Sequence, residues 1–154
     1  MTTEAWLGAG LLFFASLYLG MGFSLVVLQF PGALATTRST DFPQRFGDPV
    51  RRAVGFFTVG SVLMVGGAIW LTALEWDDGG RRLLPLAYLV LAVLATAFTV
   101  VFILPVNRRL YRDIPDEAEF TRVLDRWIRL NVVRYAFWVL EWCAITGWFV
   151  AVVS

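Results

Sequence analysis

Four long apolar runs, roughly 6–30, 53–74, 84–104 and 132–153, govern what this chain can become. Each is near the ~20 residues a helix needs to cross the hydrocarbon of a bilayer, where backbone N–H and C=O groups must be bonded within the segment. Among 154 residues these runs leave little else, and a mean hydropathy of +0.69 with 58% hydrophobic residues lies outside the soluble range. The sequence therefore predicts an all-α fold, a single-domain integral membrane four-helix bundle over 1–154. The first run reads as a retained helix and not a signal peptide, because "MTTEAW" has no basic residue and no small-residue cleavage site comes after the run.

All 13 basic residues are arginine. Arg38, Arg45, Arg51 and Arg52 lie between the first two runs, and Arg108, Arg109, Arg112, Arg122, Arg126 and Arg129 lie between the last two. Arg134 falls just inside the final run, and only Arg81 and Arg82 separate the second from the third. Positive residues favour the cytoplasmic side, so the expected topology is a multi-pass cell-membrane protein with both termini outside and connections 31–52 and 105–131 in the cytoplasm. A net charge of +1 gives no reason to expect nucleic acid as a partner. The single cysteine, Cys143, excludes a CxxC redox pair. The absence of histidine removes the usual ligand of haem, di-iron, copper and most zinc sites, so neither metal nor cofactor is expected.

Local signals refine the picture. In "QFPG", Pro31 and Gly32 should stop the first helix and leave Gln29 at the boundary. Gly20, Gly22, Gly60, Gly66 and Gly67 allow close helix approach in lipid. Phe42 and Phe46 suit a short amphipathic segment lying on the membrane surface. Pro105 falls at the membrane edge, where Asn107 can bond backbone freed by the proline. The stretch "PDEAEFTRVLDRWIRL" predicts an additional cytoplasmic amphipathic helix over about 116–130, with acids at its start and arginines later, running on into the fourth membrane helix.

Steps of three and four along that last helix pick out Trp127, Asn131, Arg134, Trp138, Glu141, Ile145 and Trp148 on one stripe, with Trp142 beside it. Glu141 lies near the bilayer centre, where a carboxylate costs about 2.5–3.5 kcal/mol, and should face the bundle interior. Arg134 is two turns away, ~10 Å along the axis, which leaves room for a polar group of a ligand between them. Tyr18, Ser16, Ser24, Gln29, Thr58, Ser61, Thr96 and Thr99 are candidate lining from the other helices. The plainer alternative has Arg134 snorkelling to headgroups, Trp148 serving as an outer belt residue, and Glu141 as a neutral acid bonded to a neighbouring helix.

The segments "GMGFSLVVLQFPGAL", "LPVNRRLY" and "RWIRLNVVR" resemble the anthrone-oxygenase-like family of small four-helix membrane proteins. The most specific parts are Pro105 with Asn107, and Trp127 with Asn131 and Arg134. The resemblance implies oxidation of an anthrone to an anthraquinone without metal or flavin. An anthrone is acidic enough for a base to form its enolate, which can pass an electron to O₂ directly, so a dry pocket, a base and anion stabilisation suffice. On that basis Glu141 is the candidate base, Arg134 and Asn131 hold the oxyanion, and Trp138 and Trp142 stack on the substrate, with Trp127, Asn107, Tyr18 and Gln29 completing the pocket. Expected partners are membrane lipids and an apolar aromatic small molecule, with a second copy or a membrane-complex partner left open. The competing expectation is a non-catalytic accessory subunit or a binder of a lipid-like or quinone-like molecule in the same pocket.

Overall fold

The computed structural model describes residues 2–112 and 114–153. They form α1 (Thr3–Phe23), a short α2 (Ala33–Thr36), α3 (Asp48–Leu74), α4 (Leu83–Phe98), α5 (Leu104–Leu110) and α6 (Glu117–Val153), with no strand among them. Wider π-helical turns at Ser24–Gln29, Pro43–Gly47 and Thr99–Ile103 extend α1, lead into α3 and join α4 to α5. The result is four spans long and apolar enough to cross a membrane: Thr3–Gln29, Pro43–Leu74, Leu83–Leu110 and Glu117–Val153. The chain is an integral membrane four-helix bundle. The predicted cytoplasmic helix is the first part of α6, continuous with the last span.

Each π turn ends two residues before a proline, at Gln29 before Pro31, Gly47 before Pro49 and Ile103 before Pro105. The residue next to each proline donates its N–H five residues back: Phe30 to Leu25, Asp48 to Pro43 and Leu104 to Thr99. A proline ring crowds the preceding residue and the carbonyl four residues back, and the wider turn relieves that crowding without ending the helix. Only after Pro31 does the chain break, where Gly32 takes φ +76, a conformation that favours glycine. At the start of α6, Asp116 caps the helix by accepting from the Ala118 N–H at 2.9 Å.

Every span buries one narrow stripe. On α1 it is Ala5, Gly8, Leu11, Ala15, Tyr18 and Gly22, three or four residues apart, while Trp6, Phe13 and Phe23 stay exposed toward lipid. α1 packs on α6 and α3, and α4 packs on α3 and α6, closing a ring of four. Beyond Phe98 the third span packs chiefly on α6.

Two sequence expectations change here. Phe42 and Phe46 do not lie on a membrane surface: each is 2% exposed, packed around Trp127 with Phe30 and Phe120. An aromatic partner inside the bundle end buries more of each ring than a headgroup layer can. Trp148 is no belt residue but fully buried, because Gly8 lacks the side chain that would occupy the place of its ring.

Candidate functional site

A cavity of about 670 Å³ lies between the spans, within the size range of small-molecule sites. α6 contributes Trp127, Asn131, Arg134, Trp138 and Glu141, so the predicted stripe faces one volume. Tyr18 from α1, Thr58 and Ser61 from α3, and Thr96, Thr99 and Asn107 from the third span also line it. Trp142, Ser16, Gln29 and Ser24 do not. Trp142 is half-buried on the other flank of α6 and donates its indole N–H to Ser16 Oγ at 3.1 Å. One residue past Glu141 is roughly 100° round the helix, which carries Trp142 out of the cavity. Gln29 is exposed and bonds Ser24 Oγ at 3.2 Å in the π turn that extends α1.

The half of the site nearest Trp127 is a relay of hydrogen bonds. Trp127 Nε1 donates to Asn107 Oδ1 at 2.6 Å, so Asn107 serves the indole and not the backbone freed by Pro105. The Trp127 carbonyl accepts from Asn131 Nδ2 at 2.8 Å, which leaves Asn131 Oδ1 free to accept from Arg134 at 2.5 Å. The guanidinium carbon also stands 4.6 Å from the centre of the Trp138 ring. Arg134 is thus held inside the cavity wall and does not snorkel outward. Its Nε is buried without a partner. The Asn131 amide thus bridges the Trp127 carbonyl and the Arg134 guanidinium.

Glu141 is the acid of the cavity and is 2% exposed. Among the described residues no hydrogen bond or ion pair reaches its carboxyl group, and Oε1 is fully enclosed with no partner. The expected bond to a neighbouring helix is therefore absent. Removing such a group from water without a partner is costly, and the cost is offset only by a ligand, a bound water or protonation. Among the described residues no group of three or more His, Cys, Asp or Glu side chains gathers anywhere.

Packing fixes the aromatic walls. Trp138 lies parallel to Phe57, at 6.1 Å between ring centres and 9° between planes, and edge-on to Tyr18 at 5.2 Å. Gly22 makes space for it, since a Cβ there would lie 2.8 Å from Trp138 Cε3. The Tyr18 hydroxyl donates to the Phe57 carbonyl at 2.7 Å, in a space that Gly60 leaves open. Sequence reasoning did not single out Phe57, which carries no polar signal and sits in a uniformly apolar run.

A family model described as anthrone oxygenase matches residues 51–141. That is more than half of the chain, and it takes in the second span from residue 51, the third span and α6 as far as Glu141. No curated protein and no solved structure matches the chain.

Proposed function

This chain belongs to the anthrone oxygenase family, and on that premise we propose that it is a cofactor-independent oxygenase acting on a flat aromatic, anthrone-type or lipid-like substrate inside the membrane. The observation that carries the proposal is that Glu141, buried and unpartnered, lines the same cavity as Arg134. An acid and a cation facing one apolar volume can separate a proton from the oxyanion its removal creates.

The backbone spacing of Arg134 and Glu141 leaves room for an anthrone between them. In an anthrone the carbonyl oxygen and the reacting methylene carbon lie about 4 Å apart, and a contact of about 3 Å at each end brings the sum to about 10 Å. Residues two helical turns apart, as Arg134 and Glu141 are, have an axial separation of ~10 Å. Arg134, steadied by Asn131, binds the carbonyl oxygen. Glu141 takes one methylene proton, and the enolate passes an electron to O₂. The radical pair joins in a C–O bond, and the peroxide anion takes the proton back from Glu141. Loss of the second methylene hydrogen as a proton, with cleavage of the O–O bond, yields anthraquinone and water. Trp138 and Trp127 form walls of the pocket, while Trp142 has no part in it.

Purified protein in lipid nanodiscs is expected to convert anthrone to anthraquinone in air faster than protein-free nanodiscs. Glu141→Gln should lower that rate by about 10²-fold or more, the usual worth of a positioned base. A Glu141→Gln protein with undiminished turnover would sink the mechanism. Tight binding of anthraquinone with no turnover of anthrone would favour the other reading, a non-catalytic binder of quinone-like or lipid-like molecules or an accessory subunit.

A further inference from the structure

We infer that the cavity is reached sideways from the bilayer, through a mouth between the second and third spans controlled by Gly66, and that its ligand is a molecule dissolved in the membrane. The inference rests on the functional reading above for the kind of ring system bound, but not for the route.

Both ends of the cavity are closed. On the arginine-rich side Trp127 is packed edge-on by Phe30 at 5.3 Å, Phe42 at 5.8 Å and Phe46 at 5.6 Å between ring centres. At the other end Leu71, Tyr88, Ile145 and Trp148 are all 0% exposed. Packing of this density leaves no path for a fused-ring molecule.

The side wall differs. Val62, Ile69 and Val100 line the cavity, yet they are 67%, 55% and 55% exposed. A residue can face an interior volume and the outer surface together only where the wall is open. Past Phe98 the third span packs chiefly on α6, which leaves the wall open beside Val100. Gly66 is exposed at the same wall, and a Cβ placed there meets nothing within 4 Å. Its missing side chain therefore serves no helix contact; it leaves the mouth wide. Such an opening in a lipid-facing surface admits apolar molecules from the bilayer and excludes water-soluble ones.

The test uses a trifluoromethylphenyl diazirine, an apolar photoprobe that partitions into the bilayer, with labelled residues mapped by mass spectrometry on the full chain in nanodiscs. In the unmodified protein the probe should label Glu141 or Trp138 as well as the lipid-facing Phe13. Gly66→Phe should cut the cavity labelling by about tenfold, because a ring fills the path, while labelling of Phe13 stays constant. Val62→Trp provides a second plug should Gly66→Phe fail to fold. Gly20→Phe, placed where a Cβ also meets nothing but away from the cavity, should change nothing. Undiminished labelling of Glu141 and Trp138 in the folded plugged variants would overturn the inference, as would an unlabelled cavity wall in unmodified protein whose Phe13 is labelled. The expected labelling pattern in a protein that does not oxidise anthrone would keep the mouth and remove only the catalytic reading.

Discussion

Arg134 is held by atoms that are themselves already held. Asn107 on α5 fixes the Trp127 indole, the Trp127 carbonyl fixes the orientation of the Asn131 amide, and that orientation presents an acceptor to the guanidinium. Without the Trp127 carbonyl the amide could turn over and offer N–H groups to a cation, which would repel it. Asn107 and Trp127 are therefore expected to be coupled to each other. Asn107→Ala leaves the indole N–H without its acceptor, and Trp127→Phe leaves the Asn107 oxygen without its donor, each at a cost of about 1–3 kcal/mol. Combined, the two changes should cost less than their sum by about 1 kcal/mol, as for residues sharing one bond. Unfolding in mixed detergent micelles measures this, and strictly additive losses would show that the bond contributes nothing.

At the level of elements, the four helices were readable because span length and hydropathy are set by the bilayer and not by tertiary contacts. The stripe on α6 was readable for a related reason, since polar groups in a membrane helix have only the bundle interior to face. Prolines were the harder signal. Pro105 reads as a helix end, yet the helix continues through a π turn, and only Pro31, with Gly32 after it, stops one. Gln29 ends the first π turn and lies outside the cavity, while Asn107, beyond the third, reaches Trp127. Glycines were legible as a class and not one by one. Gly20 and Gly22 look alike in "GMG", but a Cβ on Gly22 would lie 2.5 Å from Tyr135 Cδ2 whereas one on Gly20 meets nothing. Gly22→Ala should thus cost about 1–3 kcal/mol by forcing the Tyr135 and Trp138 rings to move, and should lower anthrone turnover with it. Gly20→Ala should be neutral or gain up to about 1 kcal/mol through helix propensity. Equal stabilities for the two variants would contradict the packing described for α1 against α6.

Over the whole molecule, a thin buried stripe on each helix is surrounded by apolar side chains left to the lipid, and the charges other than Arg134 and Glu141 are gathered at the ends. The two long connections meet at one end. The Ser39 hydroxyl donates to Glu117 Oε1 at 2.8 Å, and the Tyr111 hydroxyl donates to the Gly47 carbonyl at 3.3 Å, tying 31–52 to 105–131 across the aromatic cluster. That end carries ten arginines, from Arg38 to Arg129, against Arg81 and Arg82 at the other. The arginines are also engaged there: Arg109 pairs with Glu119, Arg129 with Asp125 at 2.9 Å, and Arg51 lies 5.0 Å from the centre of the Tyr111 ring. We propose that this end is cytoplasmic, since a translocated face would have to carry all ten charges across the membrane against the bias that retains arginine. Both termini would then lie outside, and Glu141 would sit beyond Arg134 as seen from the cytoplasm. Alkaline phosphatase fused after the last residue should be active in a bacterial host, and green fluorescent protein fused at the same place should be dark. Replacing the two arginines between the second and third spans by glutamine should not alter that result, because the ten at the opposite end decide it. Fluorescence of the fused green protein together with an inactive phosphatase would invert the topology and place the closed aromatic end outside.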